Sequence, residues 1–542
     1  MQNQAKGKIS IVLFFALCFI AGNLTAQKKD KLIVGIVVDQ MCYEYLYRFQ
    51  HHFTPSGFNK FLLHGTNFRN TNYNYVPTYT GPGHASIYTG TTPNDHGIVG
   101  NQWYDAEAAK MVNCVGDGSV HSIGVNSKHG KASPHRLKTY TISDQLKLTY
   151  PTAKVISVSI KDRGAILPGG HLSDGTYWFD YSSGKFITSS YYKEQLPIWI
   201  QEFNKNHNAD TYLKDWTLLY PETNYSSIDD SPYEVVLEGK SKATFPYTFK
   251  PGDYSNFVIT PASNTLLTDL AITAIDFEDL GADAQTDLLC ISYSTPDIAG
   301  HSFGPYSLEI EDMYARLDLE IAKLLTALDK KVGKHNYKIF ITADHAVVPV
   351  PQQLIDKKLP GGYLPMYLNL ETLKKSVEEK YGASLILTEA NQNIYLNHSR
   401  IDSLHLDKYL VQEFIASEIR EWKEVKAVYT EKELINTTFS NGDWGDMIAK
   451  GYDQKRSGDI IFITQPGFLS IHNETELSGT SHGSAFNYDT HVPLLWYGGG
   501  IKHKDVFEPI QIIDIAPTLT HLLYLQRSGA MTGKPIVEVL DK

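Results

Sequence analysis

The run Leu32-Ile-Val-Gly-Ile-Val-Val38, followed at once by Asp39, decides the fold. It is apolar throughout and mostly β-branched, with no polar alternation. Such a run reads as a strand buried on both faces, the mark of a parallel sheet. Comparable runs are Lys154–Ile160, Asp287–Tyr293, Tyr337–Thr342 and Val492–Tyr497. Helical patterns lie between several of them. The clearest spans Leu308–Leu328, with apolar residues at 308, 310, 313, 317, 321, 324, 325 and 328. Strands alternating with helices predict an α/β fold, a mostly parallel central sheet covered by helices on both faces. Functional side chains in such sheets sit at the carboxyl ends of strands. Asp39, Lys161 and the pair Asp344-His345 each follow a predicted strand closely.

The 542 residues are 42% hydrophobic and 20% charged, enough for a large core. Net charge is −11 and there is no basic stripe, so no nucleic-acid partner is expected. The first residues read as an export signal. Lys6 and Lys8 precede an apolar run from Ile9 to Ala21, and Leu24-Thr25-Ala26 offers a small-residue cleavage site. A signal peptide over 1–26 and a periplasmic mature chain follow. Leu17 before Cys18 is too bulky for a good lipoprotein signal. No later run approaches the ~20 apolar residues of a stable membrane span. Cys42, Cys114 and Cys290 remain after cleavage, an odd number that allows at most one disulfide. Residues 27–542 read as one catalytic domain. Two less periodic stretches, 172–262 and 355–455, are expected to be cap insertions. Nothing suggests a large exposed apolar face, so a monomer is expected.

The candidate metal ligands fall in four places. They are Asp39, Asp297 with His301, Asp344 with His345, and His482. Asp297 and His301 are four apart and would share one face of a helical turn. Adjacent Asp344 and His345 can bind one ion only if the chain turns there. Thr80 lies in Pro77-Thr-Tyr-Thr-Gly-Pro-Gly-His84 and would start a helix, where exposed N–H groups favour anions. Taken alone, Thr80 reads as a helix N-cap and His482 as an ordinary loop histidine. Carboxylates and imidazoles in this number suit two divalent cations, and a hydroxyl beside them is a nucleophile. Asn101 can donate to a phosphate oxygen without adding charge. Arg163, two residues after Lys161, offers a fork for two phosphate oxygens. Structural roles are expected for His84 and His96.

Together these motifs resemble the alkaline phosphatase superfamily. They are Asp39, Thr80 in Thr-Gly-Pro-Gly-His, Asn101 before Trp103-Tyr104-Asp105, Asp297-x3-His301, Asp344-His345 and Gly-Thr-x-His482-Gly. The Lys161-x-Arg163 pair resembles the PafA-type, phosphate-irrepressible bacterial alkaline phosphatases, which have a Thr nucleophile. The resemblance implies two Zn²⁺ ions. Asp297, His301 and His482 would hold one; Asp39, Asp344, His345 and Thr80 would surround the other. It implies small phosphate monoesters as substrates, a phosphothreonine on Thr80, and phosphate oxygens held by Asn101, Lys161 and Arg163. Lys161 would supply the charge that a separate magnesium provides in Ser-type relatives. The alternative is a nucleotide pyrophosphatase/phosphodiesterase of the same superfamily. No Cys-x-Pro-x-Arg or Ser-x-Pro-x-Arg motif supports a sulfatase, and the export signal speaks against a phosphoglycerate mutase. A non-catalytic binding protein would require loss of Thr80 or of a ligand, and all are present.

Overall fold

A computed structural model describes residues 29–475 and 477–540, so the predicted signal peptide over 1–26 lies outside the described residues. Its spine is an eleven-stranded sheet. The central strands are β1 (Leu32–Val38), β2 (Thr66–Asn72), β3 (Val155–Ser159), β4 (Asp287–Tyr293), β5 (Tyr337–Thr342) and β6 (His491–Gly498). Their spatial order is β2-β6-β5-β1-β4-β3. β1 pairs in parallel with β4 and β5, and β3 in parallel with β4. β6 is antiparallel to both its neighbours.

Every residue of β1 and of β4 is buried. The six apolar side chains of β1 contribute about 1.5–3 kcal/mol each, or about 9–18 kcal/mol together as an upper figure. Burial of this strand places Asp39, one residue beyond it, at the carboxyl edge of the sheet. Four helices matter for the site: α1 (Thr80–Thr89), α2 (Asp162–Gly169), α3 (Thr295–Phe303) and α4 (Leu308–Leu328). The apolar positions predicted along α4 are all buried. α1 lies tight on the sheet. A Cβ on Gly35 would stand 2.5 Å from the Tyr88 hydroxyl, so glycine is what lets this helix approach β1.

Two stretches expected as caps differ in kind. Gly175–Asp180 and Lys185–Ser189, inside 172–262, are strands of the central sheet, the first parallel to β3 and the second antiparallel to the first. Tyr177, Phe179 and Phe186 are buried there. The polar turns around these strands hide their pattern in the sequence. Residues 213–260 hold little regular structure. Residues 386–464 form a separate four-stranded sheet with its own apolar cluster, including Ile415 and Phe462. The hairpin turn at Asn391-Gln392 puts both residues in the left-handed region, φ 55° and 62°. Asn391 Nδ2 donates to Gln102 O at 2.6 Å, which ties this lobe to the strand beside Asn101. Among the described residues, Cys42, Cys114 and Cys290 are unpaired and buried. Among the described residues, no helix is long and apolar enough to cross a membrane.

α1 also abuts the end of β5. A Cβ on Gly83 would fall 2.2 Å from Asp344 O and 2.7 Å from Asp344 Cβ. Overpacking of this kind costs about 1–3 kcal/mol, roughly tenfold in an equilibrium. Gly83→Ala should keep the wild-type circular dichroism spectrum and lose about tenfold in divalent-metal affinity. Titration that finds unchanged affinity would contradict this placement of α1 against Asp344.

Candidate metal centre

The carboxyl ends of four strands and one loop meet at one point. Asp39 follows β1 and is fully buried. Lys161 is the residue before α2, just past β3. Asp297 and His301 stand one turn apart on α3, which begins two residues after β4. Asp344 and His345 follow β5. His482 arrives on the loop that leads into β6.

The chain turns sharply after Asp39. Gln40 has φ 67°, an uncommon conformation for a residue with a side chain. The turn aims Gln40 N at Asp344 Oδ1 (3.2 Å) and Gln40 Nε2 at Asp297 Oδ1 (2.7 Å). One residue thus orients two of the three carboxylates. Nothing in the sequence around Gln40 marks this role.

All three histidines present Nε2 inward, and the reason is the same each time. His301 Nδ1 lies 2.8 Å from Thr480 O, His482 Nδ1 2.8 Å from Thr78 O, and His345 Nδ1 3.0 Å from Ala346 O. A carbonyl only accepts, so Nδ1 carries a proton and Nε2 is the nitrogen left for a metal, the usual outer support of a metal-bound imidazole. The Nε2 atoms converge on carboxylate oxygens. His345 is 3.3 Å from Asp39 Oδ1; His301 and His482 are 3.3 and 3.5 Å from Asp297 Oδ1. Two ligand groups result, Asp39-Asp344-His345 and Asp297-His345-His482, with His345 common to both. His301 joins the second through Asp297. Asp39 Oδ1 and Asp344 Oδ2 are buried without a hydrogen-bond partner among the described residues. Orphaned buried carboxylate oxygens facing inward imidazole Nε2 atoms fit divalent metals such as zinc.

Thr80 is not an N-cap. Tyr79 occupies that position, and Thr80 is the first residue of α1. Its hydroxyl lies 3.5 Å from His345 Nε2, at the ligand cluster. Lys161 Nζ bonds Asp39 Oδ2 at 2.7 Å and also contacts Asp297 Oδ2. Asn101 Oδ1 accepts from Gly81 N at 2.7 Å, which commits the oxygen and leaves the amide donors. Arg163 Nε is buried with no hydrogen-bond partner among the described residues. His84 plays the structural part expected of it, with Nδ1 2.9 Å from Thr80 O and Nε2 2.8 Å from Ser292 Oγ. Asp489 is a further support that the sequence did not disclose. Its Oδ2 accepts from Gly483 N and Ser484 N, and its backbone O from Ala346 N, so it joins the His482 loop to the turn after β5. A cavity of about 360 Å³ opens beside the cluster, lined by His301, His482, Tyr79, Glu389 and Asn391 among others.

Electrostatics follow from three buried carboxylates in one place. Burial raises Asp39, and Asp297 and Asp344 raise it further against Lys161. For Lys161, burial works against the charge, but Asp297 and Asp39 hold the ammonium above its ordinary range. Burial alone would lower His345, yet Asp344 and Asp39 lift it to about 9.

The profile of the Type I phosphodiesterase / nucleotide pyrophosphatase family matches residues 33–485. Alkaline phosphatase PafA of Elizabethkingia meningoseptica is 39% identical over 96% of this chain and 98% of its own. Alkaline phosphatase PhoV of Synechococcus elongatus is 37% identical over 98% of this chain and 100% of its own. The crystal structure of wild-type PafA superposes with a TM-score of 0.91, at 38% identity, over 95% of this chain and 100% of that one. The chain belongs to the Type I phosphodiesterase / nucleotide pyrophosphatase family, within the alkaline phosphatase superfamily. Its place there is among the PafA-type alkaline phosphatases.

A metal ion and a proton compete for His345 Nε2. In the metal-free chain this imidazole is protonated below about 9. Its folded value is raised, so its contribution to metal-free stability is complete below the unfolded value and lost as pH rises through about 9. Metal affinity runs the other way. Between pH 7 and 9 it should rise about tenfold per pH unit, measured by competition with a metal-sensitive dye. A flat profile would show that His345 binds no ion.

Proposed function

We propose that this chain is an exported alkaline phosphatase that hydrolyses phosphate monoesters at a two-zinc centre, through a phosphothreonine on Thr80. The observation that supports it most is the convergence of three inward-facing Nε2 atoms and three buried carboxylates beside a Thr80 hydroxyl that is not used for capping. Asp297, His301 and His482 are assigned to one ion, and Asp39, Asp344, His345 and Thr80 to the other. The ions supply Lewis-acid charge at the nucleophile and at the leaving oxygen.

Thr80 loses its proton to solvent and its Oγ attacks phosphorus in line. The bond from phosphorus to the leaving oxygen breaks, that oxygen takes a proton from water, and an alcohol departs. Water then attacks the phosphothreonine, the bond from phosphorus to Oγ breaks, and inorganic phosphate is released. The amide of Asn101, the Arg163 guanidinium and the Lys161 ammonium hold the non-bridging oxygens. The start of α1 adds N–H groups, but a helix end is worth only about 0.3–1 kcal/mol, so the charged groups decide.

Charge counting selects the substrate. Asp39, Asp297 and Asp344 bring three negative charges; Lys161 and Arg163 bring two positive. Two divalent ions and an ionised Thr80 leave the site at a net of plus two. A monoester dianion neutralises it, whereas a diester monoanion leaves a positive charge uncompensated. Two unit charges 4 Å apart interact by about 4 kcal/mol at an effective dielectric of 20, so one unmatched charge is decisive. The relatives named alkaline phosphatase support the same reading. The family's phosphodiesterases are the second reading, with the family profile in its favour.

The test is kcat/KM on an aryl phosphate monoester and its methyl diester, for wild type and Arg163→Ala. The monoester should be preferred by several orders of magnitude, and Arg163→Ala should lose about 1.5–3 kcal/mol of transition-state binding, roughly 10- to 150-fold, on the monoester alone. A better diester rate, unaffected by the mutation, would make the enzyme a phosphodiesterase.

A further inference from the structure

A second place outside the catalytic cluster gathers metal-ligating atoms. His51 and His52 lie on a single turn, Gln50–His52, and Glu311 lies in the first turn of α4. His51 Nε2 is 3.4 Å and His52 Nε2 3.0 Å from the same oxygen, Glu311 Oε1. The His51 span falls within the 3.3 to 3.5 Å of the Nε2-to-carboxylate distances at the catalytic cluster, and the His52 span is shorter, at hydrogen-bond length. Like Asp344 and His345, the two histidines are adjacent in sequence and act together only because the chain turns.

The three groups are held as ligands are. The Glu311 side chain is fully buried; Ser227 N donates to its Oε2 at 2.8 Å, and Ser226 N is shared between Oε1 at 3.0 Å and Oε2 at 3.1 Å. Burial opposes the carboxylate charge, but the Ser226 and Ser227 amides keep it below its ordinary range. His52 is buried against the rings of Tyr220 and Tyr225, 5.5 and 4.8 Å away. The His51 side chain is 45% exposed, which gives an ion a way in and water a fourth position. A hydrogen bond between His52 and Glu311 alone would give no reason for His51 Nε2 to face the same oxygen.

We propose that His51, His52 and Glu311 form a second metal site, for a zinc-like divalent ion. Two imidazoles and one carboxylate suit zinc and its neighbours, not calcium or magnesium, which take oxygen ligands. Its effect would be structural. Two acids near the start of α4 already hold the irregular 213–260 segment. Asp312 accepts from Trp216 Nε1 at 2.7 Å and from the Tyr225 hydroxyl at 2.6 Å, and Glu311 accepts from Ser226 and Ser227. An ion on Glu311 clasps that segment to the turn at 50–52.

The test is zinc content per full chain, by elemental analysis after dialysis against a zinc buffer that leaves weak surface sites empty. Wild type is compared with His51→Ala, a change at an exposed residue that the fold tolerates. The variant should hold one zinc fewer, keep kcat/KM on a monoester within twofold, and be cut faster by protease within 213–260. The count is a difference, so it does not depend on how many ions the catalytic cluster holds. Equal zinc content in the two proteins overturns the proposal, as does a lost ion accompanied by lost catalysis.

Discussion

Three carboxylates, Asp39, Asp297 and Asp344, are buried together at the carboxyl edge of the sheet. Buried charge of one sign is costly unless it is paired. Lys161 bridges Asp39 and Asp297, and the Nε2 atoms of His301, His345 and His482 face the carboxylates. The remaining structure serves this arrangement. The strands that carry the acids are fixed by apolar burial, and the supporting groups then have little freedom. Gln40 orients two acids, Asp489 joins two ligand loops, and three backbone carbonyls fix three imidazoles.

The strands and the long helix were legible because their burial is uniform or strictly periodic. β1, β4, β5 and α4 have the boundaries their apolar patterns predict. The strands at 175–189 were hidden, since their polar turns dilute a short alternating pattern. The candidate ligands could be picked out because they follow strands and occur in a superfamily order, and the structure brings them into one cluster. Their supports could not be. Gln40 acts through a left-handed backbone conformation, and Asp489 through bonds to main-chain N–H groups, and neither leaves a trace in residue type. The two readings of Thr80 were separable only in three dimensions, where Tyr79 takes the capping position.

The position of the four-stranded lobe bears on selectivity. Its hairpin tip bonds to the strand next to Asn101 and brings Glu389 and Asn391 to the mouth of the cavity beside His301 and His482. In the proposed mechanism the phosphoryl group would be held at the sheet edge, and the lobe would stand beside the leaving group.

The central claim is that Thr80 is a covalent nucleophile and not merely the first residue of a helix. The most direct measurement is the stereochemical course at phosphorus, using a phosphate monoester made chiral with oxygen isotopes and an alcohol as acceptor. Two successive in-line displacements, the first by Thr80, predict net retention of configuration. Net inversion would show a single direct displacement and leave Thr80 without a covalent role.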